Sequence, residues 1–468
     1  MKKYDLLIIG GGSAGLTAAD FAIRLGASVA ILEKNKIGGD CTWTGCIPSK
    51  TLLKSSKVAH EMQHADKYGL VPARNEVDFS SVMAHVRSVI NDIYLEESPE
   101  VLRAEGIDVF LGPIEFIDPH TLSVGDDIVR GKSIIITTGA KVHIPQIEGI
   151  ENVEYHTYET IWQLEKLPKK LLIVGAGMVG CELSQAFQRL GSEVSLIEAK
   201  ECILPNIDRI AALTLEEVFR KDGIQLFTNA PVEHSWQDDV GIHLKSKDQE
   251  FVGDMLLLTT GRKPNVTSLG LENTGVVYTP EGIQVDQNLR TSQKHVYAAG
   301  DVAGAPQFTH VAGSQGYLAV RNALLPGSQK NNLSNLPWTL FTDPEIAQVG
   351  LSADEAKVQL GEKALSAIWP LSRVDRAHTE ASKEGYIEVT YTKKGKILGA
   401  TIVSPNAGEL INEWALAISK ELKVSDVANS LHVYPTYGMA SMRLAAEIET
   451  ERVLGGILGK VIGKLRKR

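Results

Sequence analysis

No stretch of this 468-residue chain runs uninterrupted for the roughly 18 apolar residues that a membrane-crossing helix needs, so no spanning helix is expected. Positive charge is not in excess either, since 48 Lys and Arg stand against 57 Asp and Glu, a formal charge of −9. Affinity for a phosphate backbone rests on clustered cations that release counterions, so nucleic acid is not an expected partner. Four cysteines are far too few to staple so long a chain, which argues for a reducing, cytoplasmic setting and for cysteine used as chemistry. Low-complexity tracts are missing, and 43% hydrophobic with 22% charged residues is ordinary for a folded protein. Lys2 and Lys3 before an apolar run imitate a leader peptide, but Asp5 and the glycines that follow argue against one. The length exceeds what one hydrophobic core can serve and points to about three domains.

What is present begins with a repeated signature. Residues 4–9 read as a short buried strand, followed by Gly10-Gly11-Gly12-Ser13-Ala14-Gly15 and a helical pattern over 16–25. A second strand, 28–32, ends at Glu33, an acid at about the 20-residue spacing of a dinucleotide fingerprint. In such a unit Gly10 makes the turn, Gly12 admits a pyrophosphate, Gly15 lets helix and strand approach, and Glu33 accepts hydrogen bonds from a ribose. The pattern returns as Gly175-Ala176-Gly177-Met178-Val179-Gly180, with strand 193–197 ending at Glu198, each part offset by 165 residues. One such motif is weak evidence, but two with identical spacing imply that the chain binds two dinucleotides. Glu198 suits a free ribose 2′-hydroxyl and would repel a 2′-phosphate, so NADH is expected over NADPH, with Lys200 read as a solvated lysine.

After the first unit comes Gly38-Gly39-Asp40-Cys41-Thr42-Trp43-Thr44-Gly45-Cys46-Ile47-Pro48-Ser49-Lys50. Zinc sites show two cysteine pairs or added histidines, which this region lacks, so no metal site is expected. Two readings remain, a redox disulfide and a pair of buried structural thiols, of which the first is preferred. Residues five apart in an ideal helix are turned about 140° from each other, so the backbone must loop between Cys41 and Cys46. Gly45 permits such a loop, and a helix beginning beyond Cys46 favours its thiolate.

These blocks, with Thr137-Thr138-Gly139, Thr260-Gly261-Arg262-Lys263-Pro264-Asn265, Ala299-Gly300-Asp301 and Phe341-Thr342-Asp343-Pro344-Glu345, resemble the pyridine nucleotide-disulfide oxidoreductases over nearly the whole chain. That group includes dihydrolipoamide dehydrogenase, glutathione reductase and mercuric reductase. The resemblance implies an α/β fold with two Rossmann-like dinucleotide-binding domains and an α+β C-terminal dimerisation domain. It implies an FAD domain at 1–148 and 268–335, an NAD(P) domain at 149–267 and an interface domain at 336–452, after a polar, Pro-flanked linker at 326–337. FAD would be held by Gly10, Gly12, Gly15, Glu33, Gly39, Lys50, Thr138, Gly139, Gly300 and Asp301, with Asp301 on the ribityl chain. NAD would be held by Gly175, Gly177, Gly180, Glu182, Glu198 and Gly261. Lys50 would pair with Glu182 beside the flavin ring, and its place four residues after Cys46 puts it on the same helix face. Electrons would pass from NADH to FAD to the disulfide, with Cys46 as the flavin-proximal thiolate. Cys41 would meet the substrate in a cleft completed by the second subunit of a homodimer. Cys181 and Cys202 are read as packing residues.

The chain departs from that pattern at one place. Thiol-reducing members carry a His-Pro-Thr block with a glutamate five residues past the histidine, and that dyad shuttles the substrate proton. Here His432-Val433-Tyr434-Pro435-Thr436-Tyr437-Gly438-Met439 puts Tyr434 at the histidine and Met439 at the glutamate, with His432 two residues earlier and expected to be structural. A tyrosine with an ordinary pKa near about 10 is a poor base at neutral pH. The candidate catalytic set is therefore Cys41, Cys46, Lys50 and Glu182, with Tyr434 and His432 at the departure. The resemblance is to a mercuric reductase-like enzyme delivering electrons to a small-molecule or metal-ion acceptor, although no cysteine follows Cys202 to form the vicinal C-terminal pair usual in mercuric reductases. An atypical dihydrolipoamide dehydrogenase and an NAD(P)H quinone reductase are the alternatives, and a non-catalytic redox sensor is the reading from a different class. The end of the chain, 453–468, is basic and amphipathic on a helical wheel. It fits equally a helix lying on an anionic membrane surface, as a peripheral contact, and a helix packed on its own dimer.

Overall fold

The computed structural model describes residues 1–73, 76–304 and 306–455. The chain divides into two compact units. The first comprises Met1–Ser55, Val77–Gly175 and Val232–Asn332, and the second Ser56–Glu76, Ala176–Pro231 and Leu333–Arg468. Among the described residues no helix is long and apolar enough to cross a membrane. Of the expected tail, 453–468, residues 453–455 end helix Met439–Gly455, and 456–468 lie outside the described residues.

The first unit is organised by a seven-stranded sheet. Strands β1 (Lys2–Ile9), β2 (Val29–Glu33), β3 (Asp108–Leu111), β4 (Ile114–Asp118), β5 (Thr121–Val124) and β6 (Asp127–Ile136) lie in the order β3-β2-β1-β6-β5-β4, and Val296–Ala298 also pairs with β6. Pairing is parallel from β3 through β6 and antiparallel from β6 through β4. Side chains alternate across the pleat, so both faces are buried. Leu7, Ile9, Leu32, Ile134 and Ile136 enter one core, and Leu6, Ile8, Ile31 and Ile135 enter the other. That second core is closed by helix α1 (Ser13–Arg24), through Ala14, Ala18, Ala19 and Ala22, and by Leu318, Ala319 and Val320 of helix Thr309–Leu324. Small residues along α1 let it lie close to its neighbours. The same unit holds the parallel strands Lys170–Val174, Met255–Leu258 and His156–Thr157 and an antiparallel trio, His234–Gln237, Ile242–Ser246 and Gln249–Gly253.

In the second unit strand Glu193–Ile197 pairs in parallel with Gln225–Phe227, beside helices Met178–Leu190 and Arg209–Asp222. A five-stranded antiparallel sheet follows the order Trp338–Leu340, Glu345–Gly350, Ile397–Ser404, Tyr386–Thr392, Ala364–Pro370. Helices Ala407–Ser419 and Met439–Gly455 pack on it. The expected linker, 326–337, carries turns but neither helix nor strand. α1 starts at Ser13, earlier than the apolar periodicity indicates, because it follows directly on the glycine loop, with the small Ala14 and Gly15 buried in its first turn.

Trp414 is the largest fully buried side chain of this second core, and its indole N–H donates to the Ser441 hydroxyl at 3.1 Å. Trp414→Ala removes the ring and leaves that hydroxyl without its donor. A loss of about 3–5 kcal/mol is expected, read as a lower urea midpoint for this unit.

Candidate functional site

The two glycine loops are built alike. Gly10 and Gly175 both adopt positive φ, 107° and 103°, and a Cβ on either would press against a threonine carbonyl, 2.5 Å from Thr137 O and 2.7 Å from Thr259 O. Each threonine clasps its loop from below. Thr137 Oγ1 donates to the carbonyls of Ile9 and Gly10 at 2.9 and 2.8 Å, and Thr259 Oγ1 to those of Val174 and Gly175 at 3.1 and 2.7 Å. The acids repeat as well. Glu33 accepts from Gly11 N and Asn35 N, both at 2.7 Å, while Glu198 accepts from Ala176 N at 2.7 Å and Lys200 N at 2.9 Å. Each carboxylate is thus fixed at a strand end with lone pairs left to accept from a ribose.

Which glycines the protein itself requires can be read from their surroundings. Gly15 is forced by packing, because a Cβ there would collide with the Gly10 carbonyl oxygen. Gly12 and Gly177 are not. Their φ angles, −87° and −75°, suit any residue, a Cβ on Gly12 meets only Gly39 Cα at 3.6 Å, and a Cβ on Gly177 meets nothing within 4 Å. Both cap their helices without a side-chain hydrogen bond and with no acid in the first turn. Open space before an uncapped helix N-terminus is what a dinucleotide pyrophosphate needs, so the residues present fit FAD at the first loop and a nicotinamide dinucleotide at the second.

Other expected cofactor residues cluster around these loops. Gly39 passes so close to Gly12 that a Cβ on it would lie 2.7 Å from Gly12 Cα. Thr138 and Gly139 are laced to Asn265, with Thr138 Oγ1 donating to Asn265 O and Asn265 Nδ2 donating to Thr138 O, both at 2.9 Å. Gly261 accepts from His143 N at 2.9 Å. Gly300 N donates to Gln315 Oε1 at 2.8 Å, and Asp301 opens a short 3-10 turn, Asp301–Ala303. In the second unit Gly180 and Glu182 are buried in helix Met178–Leu190, and Glu182 accepts from Phe341 N at 3.0 Å.

Cys41 lies in α2 (Gly39–Trp43) and Cys46 is the first residue of α3 (Cys46–Gln63), which also carries Lys50. The break between them falls at Thr44 and Gly45. Gly45 has no positive φ, and its role is room, since a Cβ would sit 2.9 Å from Asp40 O. Cys41 and Cys46 are both half-buried and stand unbridged. A hydrogen bond to Cys46, burial and the charge of Cys46 push the Cys41 thiol up from its ordinary value. Cys46 Sγ lies 3.1 Å from the Thr309 hydroxyl. Placing Cys46 at a helix N-terminus favours charge there, and the upward shift of Cys41 keeps the proton on the partner.

The loop bearing the pair is fastened on every side, which the sequence did not announce. Trp162 Nε1 donates to Thr44 O at 2.9 Å, Trp43 Nε1 to Ile37 O at 2.7 Å, and Thr42 Oγ1 to Glu97 at 3.3 Å. Lys36 lies over the Trp43 ring, 4.3 Å from its centroid. Arg262 bridges two carboxylates, Asp40 directly before Cys41 and Asp301 at 3.1 Å, and its guanidinium also lies 5.3 Å from the Tyr158 ring. Burial raises the Asp40 carboxyl to about 6 and raises Asp301, with Arg262 opposing both shifts. Only the position of Asp40 beside Cys41 hinted at a role, and no spacing rule connects it to Arg262.

Tyr434 and His432 belong to the second unit. The Tyr434 side chain is 62% exposed. Both ring nitrogens of His432 are engaged, Nδ1 with Ser430 O at 3.0 Å and Nε2 with Glu413 at 2.8 Å. Cys181 is fully buried with its thiol pushed up by burial, and Cys202 is buried too.

A family model described as pyridine nucleotide-disulphide oxidoreductase matches residues 4–316, and that of the family's dimerisation domain matches 336–445. Mercuric reductase of Bacillus cereus is 35% identical over 439 residues, covering 92% of this chain and 69% of that protein. Dihydrolipoyl dehydrogenase of Thermus scotoductus is 33% identical over 470 residues, covering 97% of this chain and 99% of its own. Among solved structures, the HOCl-induced flavoprotein disulfide reductase RclA of Escherichia coli superposes with a TM-score of 0.87 at 28% identity, covering 95% of this chain and 99% of that one.

The contrast between glycines is testable. Gly177→Ala should leave thermal stability within about 0.5 kcal/mol of wild type while weakening nicotinamide dinucleotide binding at least about tenfold. Gly15→Ala should lower the melting temperature and the flavin content together. Calorimetry, flavin absorbance and a dinucleotide titration read the three quantities.

Proposed function

The chain belongs to the pyridine nucleotide-disulphide oxidoreductase family, whose members bind FAD and use NAD(P)H, and on that premise we propose a mercuric reductase-like enzyme drawing electrons from NADH. The observation that carries this reading is the dithiol loop, Cys41 to Cys46, held in the same unit as the first glycine cradle. When bound, FAD supplies two-electron transfer between the nicotinamide and the disulfide. Gly12 and the N-terminus of α1 receive its pyrophosphate, Glu33 a ribose, and Asp301 the ribityl chain. Gly177 and Glu198 hold NADH, the fixed carboxylate of Glu198 favouring a 2′-hydroxyl over a 2′-phosphate. The FAD domain is assigned to 1–148 and 268–335, the NAD domain to 149–267 and the interface domain to 336–452.

Within the pair, Cys46 keeps the negative charge at the start of α3, and Cys41 keeps the proton and faces the acceptor. Closing the disulfide passes two electrons to the acceptor, and the one proton held by Cys41 leaves to the acceptor or to solvent. Lys50 and Glu182 serve the flavin ring and Gly261 the nicotinamide side. The family's dimerisation domain supports a homodimer. Tyr434 in place of a histidine, together with a His432 whose nitrogens are both engaged, supports an acceptor that needs no proton from a histidine dyad, such as a soft metal ion. Dihydrolipoyl dehydrogenases of 30–33% identity favour a thiol-disulfide acceptor as the second reading.

Steady-state NADH oxidation with mercuric ion, lipoamide and a soluble quinone discriminates these readings. Mercuric ion should give the fastest turnover, and Cys41→Ser should lower it by at least about a hundredfold. Rapid lipoamide turnover would instead put the dihydrolipoamide dehydrogenase reading first. Glu198→Arg should shift the ratio of kcat/KM for NADPH over NADH upward by about tenfold or more.

A further inference from the structure

Opening the disulfide adds negative charge close to two carboxylates that share one guanidinium. Arg262 is one positive charge held between two carboxylates, Asp40 and Asp301, and its side chain is 25% exposed against 38% and 13% for theirs. The guanidinium also lies 5.3 Å from the Tyr158 ring, a group that carries no charge at neutral pH. The groups acting on Asp40 are Arg262, which draws it toward the charged form, and Glu159, Asp301 and Cys46, which all oppose that form. The buried Tyr158 hydroxyl is pushed well above its ordinary value, chiefly by burial, so it adds no charge at neutral pH. A thiolate appearing at Cys46 therefore adds negative charge that acts on a carboxylate already sharing its guanidinium with another.

Beside the pair Glu97 accepts from the Thr42 hydroxyl at 3.3 Å, and burial raises its carboxyl. Cys41 accounts for one proton. Thr309, against Cys46 Sγ, is a hydroxyl that stays neutral, and His310 on the same helix is exposed and stacked with Phe308.

We propose that Asp40 is a positioning residue for the cysteine pair that takes up the second proton when the disulfide opens and gives it back when the disulfide re-forms. This rests on the reading of Cys41 and Cys46 as a redox pair. The step balances. Two electrons from NAD(P)H, or from a dithiol reductant in a test, break the S–S bond, one proton goes to Cys41, one to the Asp40 carboxyl, and Cys46 remains a thiolate. On re-oxidation the electron pair goes to the acceptor, and both protons leave to the acceptor or to solvent. Asp40 acts through charge rather than by touching the sulfurs.

The sign follows from linkage. The Asp40 carboxyl stands at about 6 in the dithiol form, and removing the Cys46 charge lowers it. Protons therefore bind more tightly to the reduced form, which gains stability over the disulfide as pH falls through about 6 and gains nothing from Asp40 well above it.

The experiment equilibrates the full-length holoenzyme with dithiothreitol redox buffers from pH 4.5 to 7.5, then alkylates and reads the fraction of reduced Cys41 and Cys46 by peptide mass. Wild type is compared with Asp40→Asn and Asp40→Glu. The ratio of the wild-type reduction constant to that of Asp40→Asn should be flat near pH 7.5. Below about pH 6.5 it should rise toward the limit of about tenfold per pH unit. Asp40→Glu should restore the rise, which a purely structural role would not require. A ratio independent of pH overturns the assignment of Asp40 while leaving the redox pair intact. Failure of wild type to form the disulfide at any buffer ratio overturns the reading of the pair itself. If Asp40→Asn loses its fold, the same comparison with Arg262→Lys applies. A more weakly neutralised Asp40 should then move the onset of the rise to higher pH, and an unmoved onset overturns the proposal.

Discussion

One guanidinium sets the terms for the redox loop. Arg262 reaches Asp40 in one direction and Asp301 in the other, so the residue preceding Cys41 and the residue assigned to the flavin's ribityl chain are tied to a single charge. Taking three charged groups out of bulk water is unfavourable unless they neutralise and bond one another, and removing any one leaves the others exposed to that cost. The arrangement holds two carboxylates where apolar burial alone would drive both toward protonation. It therefore fixes the position of α2 and supplies the negative surroundings in which the pair must change charge.

Around this centre the remaining contacts restrict motion rather than add chemistry. Trp162, Trp43 and Glu97 each hold a residue between the two cysteines or beside them, through a carbonyl, an indole or a hydroxyl. On the proposed reading of Cys41 and Cys46 as a redox pair, the sulfurs need to stay within bonding reach in both states, and a loop fastened at successive residues limits how far they separate. The glycine loops use the same economy. Thr137 and Thr259 bind two successive carbonyls each, so the turn conformation persists without a ligand, and only Gly12 and Gly177 are left as space.

The second unit shows how a family scaffold can keep its packing while its acid–base groups differ. His432 is locked between Ser430 and Glu413, a structural arrangement, and Tyr434 is exposed. Nearby, Asp343 is held by Arg189 at 2.7 Å and Lys57 at 3.2 Å. Burial pulls its carboxyl upward, but those two cations outweigh it and keep it below the ordinary range. The Phe341-to-Glu345 segment is thereby fastened to helix Met178–Leu190, with Gln185 bonding Asp343 through both its amide atoms.

The chain's own order was enough to reveal the features that depend on short spacings. Two glycine loops, the acids that follow them and the cysteine pair at the start of a helix are set by residues near one another in sequence, where turn geometry and periodicity act directly. So were the parallel strands, whose continuous apolar runs report burial on both faces. Which glycines serve packing and which serve a ligand could not be read there, because Gly12 and Gly15 look alike until the atoms facing them are known. Nor could the partnership of Asp40 with Arg262, 222 residues apart, or the threonine 127 residues beyond Gly10 that clasps its carbonyl. Only the tertiary structure decided these, since a charge or hydroxyl acquires its chemistry from what burial and folding bring against it.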